Sequence, residues 1–170
     1  MKTFVLAFAL LSVAPVVQAQ EAAGPACAAP SDANLPAVWS VWTAPEAVQT
    51  ATDAAKSPDV MPGHAYALSL SPVTQVVYPV AADKPPMAGT FGGLLSLKIT
   101  AAGTYSVALN DKAWIDIVKD GAFVRSVAHD HGPACTTVRK AVDFTLEPGL
   151  YAIQIASAPT ADLKLAIIRK

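Results

Sequence analysis

The sequence predicts an all-β protein: an antiparallel, jelly-roll-like β-sandwich of eight or nine strands with a short N-terminal helical segment. From Gly63 to the end of the chain, apolar residues alternate with small or polar ones, which is the pattern of strands that bury one face. Turn residues interrupt this alternation at hairpin-length intervals. No segment with helical periodicity lies between the predicted strands, so the parallel sheet of an α/β protein is not expected.

The first 19 residues have the features of a secretory signal peptide. Lys2 supplies the positive charge, an apolar run follows from Phe4 to Leu11, and Val17-Gln18-Ala19 has the small residues of a cleavage site. We expect cleavage after Ala19 and a periplasmic or secreted protein with no membrane span in the mature chain. The alternative, a membrane anchor, would require a longer apolar segment.

The composition is that of a single small domain. Of the 170 residues, 53% are hydrophobic and 15% are charged, so the chain has enough apolar surface to form a core. The formal net charge of -1 gives no basic excess for binding nucleic acid. We expect residues 20–36, which are rich in Ala and Pro, to form an N-terminal tether, and residues 37–170 to form one β-sandwich domain.

A helical segment is predicted near the start of this domain. Leu35, Trp39 and Trp42 are spaced by four and three residues, which places them on one helical face. Thr43-Ala44-Pro45-Glu46 resembles a capping box with Pro in its first turn. The sequence therefore predicts a short helix that continues to about Ala55.

The predicted strands follow one another with only turns between them. Asp120-Gly121 is the strongest hairpin signal, and Glu147-Pro148-Gly149 marks a second turn. Residues 73–78 and residues 123–128 are each predicted to form a strand. The apolar positions that define the other strands are Tyr66, Leu68 and Leu70; Leu95, Leu97 and Ile99; Tyr105, Val107 and Leu109; Ile115 and Ile117; Val138, Val142, Phe144 and Leu146; Tyr151, Ile153 and Ile155; and Leu163, Leu165 and Ile167.

The two cysteines, Cys27 and Cys135, are expected to form a disulfide bond. Exported proteins fold in an oxidising compartment, where an even number of cysteines favours pairing. Such a bond would close a loop of nearly the whole domain. The alternative is a pair of separate thiols, one of which serves as a metal ligand.

One segment is chemically unusual: Ala128-His129-Asp130-His131-Gly132-Pro133-Ala134-Cys135. Side chains two residues apart on a strand point the same way, so His129 and His131 could face one metal ion, with His64 as a third ligand. The alternative is a polar loop whose Asp and His side chains bond backbone groups beside the disulfide. Signature motifs of serine hydrolases, nucleotide-binding loops and zinc proteases are absent from the sequence.

Arg139 and Lys140 form a second candidate site. Lys140 shares a strand face with apolar residues, which is typical of an edge strand or of a paired charge. Both cations could bind a small anion close to the two histidines of the His-Asp-His segment. Asp116 alternates with Ile115 and Ile117, and we expect it on the exposed side of its strand.

Three elements carry a resemblance to a known architecture: Ala102-Gly103-Thr104-Tyr105-Ser106-Val107, the Asp120-Gly121 turn and Leu146-Glu147-Pro148-Gly149-Leu150-Tyr151. They resemble the corresponding parts of small secreted β-sandwich modules of the bacterial pre-peptidase C-terminal type. The resemblance extends from about Phe91 to Arg169 and implies a jelly-roll sandwich.

Three further segments are Trp114-Ile115-Asp116-Ile117-Val118, residues 128–135 and Arg139-Lys140-Ala141-Val142-Asp143-Phe144. They resemble short exported proteins of Gram-negative bacteria that often carry the label homogentisate 1,2-dioxygenase, which implies an iron enzyme of the cupin type. Cupins bind metal through His-x-His, a following Glu and a later His. His129 and His131 match the first pair, but the other two ligands have no counterpart in this sequence.

The sequence favours a non-catalytic binding or envelope-associated module. The alternative is a metal-binding protein or metal-dependent enzyme centred on His129 and His131, with Fe, Cu or Zn as the ion. Apart from such an ion, no cofactor is expected. The expected partners are an envelope component or a small anionic ligand bound by Arg139 and Lys140, and nucleic acid is not expected.

Overall fold

The computed structural model describes Cys27 and residues 29–33, 35–82 and 84–170. The predicted signal peptide and most of the predicted tether lie outside these residues. The described chain folds into two β-sheets, which confirms the predicted all-β sandwich. It has twelve strands instead of eight or nine, and most of the additional ones are short strands in the first part of the chain.

The strands are numbered in chain order: β1 (Glu46–Gln49), β2 (Asp59–Val60), β3 (His64–Ser69), β4 (Ser71–Pro72), β5 (Phe91–Ile99), β6 (Gly103–Leu109), β7 (Trp114–Lys119), β8 (Ala122–Val124), β9 (Ala128–Asp130), β10 (Lys140–Leu146), β11 (Gly149–Ala158) and β12 (Asp162–Arg169). The helical segments among the described residues are three short 3-10 helices: Ala37–Thr43, Ala54–Lys56 and Val73–Gln75. Within the described residues, no helix has the length and hydropathy needed to cross a membrane.

Most neighbouring strands are antiparallel. The first sheet has the order β1-β3-β12-β6-β10-β9, and the second has the order β2-β5-β11-β7-β8, with β4 also paired to β5. Two pairs are parallel, β1 with β3 and β2 with β5, and both involve strands from the N-terminal part of the domain. The strands β9 and β8 are the last members of their respective sheets, so each has one edge without a neighbouring strand in its sheet.

The space between the sheets is filled by inward-facing aliphatic and aromatic side chains. These positions follow the predicted alternation, and the largest of them that are almost completely buried are Leu68, Leu95, Leu97, Leu109, Ile117, Leu146, Ile153, Ile155, Leu165 and Ile167. Each side chain of this size contributes about 1.5–3 kcal/mol when it is removed from water. This core is therefore the main source of stability.

A second apolar cluster covers the outer face of the first sheet. Trp42, in the first 3-10 helix, is fully buried in a cluster with Ala65, Ala108, Ala141 and Ala166. These alanines leave room for the indole, whose Nε1 donates a hydrogen bond of 2.8 Å to Thr137 Oγ1. Trp39 makes an edge contact with Trp42, with 6.5 Å between ring centroids, as expected for residues on one helical face.

The predicted disulfide between Cys27 and Cys135 is present and joins the start of the described chain to the loop after β9. Next to it, Ser31 N–H donates to the Cys135 carbonyl at 2.8 Å. Asp32 accepts hydrogen bonds from the backbone N–H and the hydroxyl of Thr137, at 2.9 and 2.6 Å. One covalent bond and three hydrogen bonds therefore fasten the N-terminal segment to this loop.

The helix predicted to continue to Ala55 is wrong. The 3-10 helix ends at Thr43, and Glu46 begins β1 instead of completing a capping box. Because β1 pairs with β3, tertiary hydrogen bonding outweighs a weak local helix signal. The strand predicted over residues 73–78 is also wrong: a 3-10 helix, Val73–Gln75, follows a proline, and after it Val77 forms only an isolated bridge with Asp53.

The two predicted turns near the end of the chain are confirmed. Asp120 and Gly121 have φ values of 50° and 75°, as the favoured two-residue hairpin requires. In the second turn, the Tyr151 hydroxyl donates to the Glu147 carbonyl at 2.8 Å. This bond closes the corner between β10 and β11, so β11 enters the second sheet in a fixed direction.

Candidate binding groove at the open edge of the sandwich

The chain passes from one sheet to the other between β8 and β9. Residues 123–128 were predicted to form one strand, but the structure divides them, because Val124 ends β8 in the second sheet and Ala128 begins β9 in the first. Residues 125–127 connect the two sheets, and we call them the crossover strap. Val127 N–H donates to the Asp143 carbonyl at 2.8 Å, which attaches the strap to β10.

A groove of about 600 Å³ lies beside the crossover strap, between the edges of the two sheets. We call it the edge groove. Its volume is in the range of sites that enclose small organic molecules. Its walls combine apolar side chains with a few polar ones: Trp114, Ile115, Asp116, Phe123, Val124, Arg125, Ser126, His129, Lys140, Val142 and Phe144.

Lys140 is the half-buried cation of the edge groove. It is the first residue of β10 and alternates with Val142 and Phe144, so the prediction that it shares their face is confirmed. Its Nζ donates to the Ala113 carbonyl at 2.9 Å and lies 5.7 Å from the centroid of the Trp114 ring. Burial lowers the pKa of Lys140, and the nearby carboxylate of Asp116 opposes that shift.

Asp116 is half-buried and lines the edge groove, although the sequence predicted an exposed position. One of its oxygens accepts a hydrogen bond of 2.9 Å from Trp114 Nε1. Burial and then the charge of Asp116 raise the pKa of Tyr78 to about 12. Lys84 Nζ lies 4.9 Å from the centroid of the Trp114 ring, so a second cation contacts this indole.

His129 is brought to the same groove as Lys140. It lies directly opposite Val142 in the pairing of β9 with β10, and residues opposite each other in a sheet share a face. The edge groove therefore contains one of the two predicted anion-binding cations and one of the predicted metal ligands. Arg125 and Trp114 also line the groove but were not predicted as site residues, since their only signal in the sequence is a place in segments of predicted strand.

His131 and Arg139 are not among the residues that line the edge groove. Both are exposed, and His131 Nδ1 lies 3.3 Å from the Arg139 carbonyl. The backbone N–H of His131 donates to Asp130 Oδ1 at 2.7 Å, and that of Arg139 donates to the Leu109 carbonyl at 2.8 Å. One member of each predicted pair, His129 and Lys140, therefore lines the edge groove, and the other does not.

His64 lies far from the His-Asp-His segment. It is in β3, and three strands separate β3 from β9 in the first sheet, which corresponds to about 19 Å at the usual strand spacing. Its Nδ1 forms an ion pair of 2.8 Å with Glu46. Among the described residues, no three His, Cys, Asp or Glu side chains are close enough to hold a metal ion. A role for Fe, Cu or Zn stays a prediction from the sequence.

The charges around the edge groove favour an anion. Arg125 and Lys140 are positive, and Asp116 is negative. The Lys140 ammonium takes part in neither the His64–Glu46 nor the Lys170–Asp143 ion pair, and Asp116 is the carboxylate whose charge acts on it. An apolar groove with an excess of positive charge is suited to a ligand that is apolar at one end and anionic at the other.

The burial of Lys140 predicts how the stability of the protein depends on pH. Because burial disfavours its ammonium, the folded protein binds this proton less tightly than the unfolded chain, in which the lysine pKa is near 10.5. The contribution of Lys140 to stability therefore rises as the pH increases toward that value. We therefore expect the unfolding free energy of wild type minus that of Lys140→Met to increase between about pH 7 and about pH 10.

Urea denaturation at both pH values measures this difference. Lys164→Met is the matched control, because Lys164 Nζ also lies over an indole, 5.0 Å from the Trp42 centroid, but on the outer face of the first sheet. It reports how the removal of any lysine affects stability over the same pH interval. If the unfolding free energy of wild type minus that of Lys140→Met decreases as the pH rises, the groove stabilises the ammonium, contrary to this prediction.

Comparison with known proteins does not place this chain in a family. No protein-family model matches the chain, and no curated protein matches it significantly. The resemblance to proteins labelled homogentisate 1,2-dioxygenase and the resemblance to pre-peptidase C-terminal modules therefore stay predictions.

Proposed function

We propose that this protein is an exported binding module that holds a small amphipathic anion in the edge groove. The observation that carries the proposal is the ammonium of Lys140, which is half-buried on the groove wall beside Val142 and Phe144. Burial of a charge is unfavourable, and a ligand carboxylate would stabilise this ammonium by a charge-assisted hydrogen bond.

The apolar part of the ligand has its own place in the groove. Val142 and Phe144 continue from Lys140 along the same face of β10, and Ile115 faces them from β7. An alkyl chain or ring next to the anionic group would cover these side chains, at about 25 cal/mol for each Å² of apolar surface removed from water. Arg125 would add positive charge on the side of the crossover strap.

We favour binding over catalysis because several polar groups of the groove already hold one another. Asp116 accepts from Trp114, and Lys140 donates to Ala113, so their positions are set before a ligand arrives. Export is supported by the predicted signal peptide, and the disulfide between Cys27 and Cys135 is typical of an oxidising compartment such as the periplasm or the cell exterior.

Titration calorimetry with three eight-carbon probes tests this function. Octanoate, octanol and octylamine share an alkyl chain and differ in the charge of the head group. We expect octanoate to bind tightest. Lys140→Met should weaken octanoate binding about tenfold or more, because a hydrogen bond to a charged group contributes about 1.5–3 kcal/mol.

Lys164→Met is again the control and should bind octanoate like the wild type. Its ammonium donates to the Trp42 carbonyl at 3.3 Å, away from the edge groove. Octylamine binding as tightly as octanoate would refute the preference for anions. Equal octanoate affinity in wild type and Lys140→Met would show that the site is elsewhere.

A further inference from the structure

We infer that the free-amine form of Lys140 captures aldehydes and ketones that have an apolar body, and forms an imine with them inside the edge groove. The inference rests on the proposed function in one respect, the use of the edge groove as the ligand site. It adds a second class of ligand, which is held by a covalent bond instead of by charge.

The position of the amine supports this chemistry. Nζ is held by its 2.9 Å hydrogen bond to the Ala113 carbonyl and by the Trp114 ring, 5.7 Å away. A neutral amine can keep that hydrogen bond, since it still has N–H groups to donate, while its lone pair is free to attack. A nucleophile fixed on the wall of a groove meets a bound carbonyl without further ordering.

The surroundings of the amine favour its reactive form. Val142 and Phe144 extend from Lys140 along the groove wall, and burial lowers the pKa of the lysine, which enlarges the free-amine fraction at neutral pH. Asp116 is the charged group that opposes this shift. Arg125, which lines the groove from the side of the strap, is positively charged and does not stabilise the ammonium.

The reaction balances without an oxidant, a reductant or a metal. The amine lone pair forms a bond to the carbonyl carbon, and a proton moves from nitrogen to the carbonyl oxygen. The C–O bond of this carbinolamine then breaks, and the oxygen leaves as water with the second amine proton.

Reductive trapping in the wild-type protein tests the inference. The protein is incubated at about pH 7.5 with hexanal and cyanoborohydride, which reduces imines, and alkylation of each lysine is followed by peptide mass spectrometry. We expect Lys140 to be alkylated at least about threefold faster than Lys164, which also lies over an indole but outside the groove. Octanoate should slow alkylation of Lys140 and leave that of Lys164 unchanged.

The outcomes separate this inference from the proposed function. If octanoate binds with the expected dependence on Lys140 but Lys140 is alkylated no faster than Lys164, the imine inference is overturned and the anion site stands. If Lys140 is alkylated faster and octanoate neither binds nor protects it, the nucleophile is supported and the anion site is overturned. Slow alkylation together with no octanoate binding overturns both.

Discussion

Replacement of both Cys27 and Cys135 by serine should lower the free energy of unfolding by about 4–5 kcal/mol. The disulfide joins residues 108 positions apart, and the loop-entropy model assigns a closure of about this length roughly 4.7 kcal/mol. The bond also holds Ser31 and Asp32 next to their hydrogen-bond partners, so these contacts should weaken as well. Guanidinium denaturation monitored by tryptophan fluorescence measures the change.

The wild-type protein under reducing conditions is the matched comparison for this double variant. It lacks the same covalent bond but keeps both sulfur atoms, so the two proteins should unfold at the same denaturant concentration. A loss below about 1 kcal/mol would mean that the N-terminal segment contributes little to the stability of the domain. It would also mean that removal of the disulfide adds little conformational entropy to the unfolded chain.

Trp42→Ala should destabilise the protein by about 3–5 kcal/mol, the usual range for removal of a large aromatic side chain from a core. Trp42 is completely buried and is the largest buried side chain of the cluster that covers the alanines on the outer face of the first sheet. The substitution also removes the indole donor of the hydrogen bond to Thr137. Equilibrium urea denaturation gives the loss directly.

Trp39→Ala is the control for Trp42→Ala. Trp39 lies in the same 3-10 helix and contacts the Trp42 ring, but it is only half-buried. Its removal should cost markedly less than that of Trp42. If the two substitutions had equal effects, the second apolar cluster would be loosely packed and would not act as a second core.

The alternation of apolar residues was enough to predict the architecture. Leu95, Leu97 and Ile99 face the core as their spacing requires, and the Asp120-Gly121 turn has the backbone angles that its residues favour. The inward position of Lys140 was also predicted from its neighbours on β10. These features depend on residues close together in sequence, so local patterns contain the necessary information.

Features that depend on distant residues were not predictable in this way. Glu46 begins a strand because β3, some twenty residues later, provides its hydrogen-bond partners. The crossover strap exists because the two ends of residues 123–128 pair with different sheets, through β7 and β10. Nothing in the local alternation marks that division, and the edge groove therefore could not be predicted.

The candidate site shows the same limit. Parity along one strand predicted that His129 and His131 share a face, but β9 ends at Asp130, and regular alternation ends with it. Arg139 and Lys140 are adjacent in sequence and therefore point to different sides once β10 begins. Proximity in sequence suggested one site, whereas the sheet brings Lys140 together with Trp114, Asp116 and His129.

NMR mapping of octanoate onto the ¹⁵N-labelled protein tests most directly whether the edge groove binds an amphipathic anion. We predict that saturable amide shifts are confined to β7, β8, the crossover strap, β9 and the start of β10, and that they are largest around Trp114, His129 and Lys140. The same titration of Lys140→Met should give much smaller shifts at the same concentrations. Saturable shifts located at the opposite end of the sandwich, or no saturable shifts, would contradict the claim.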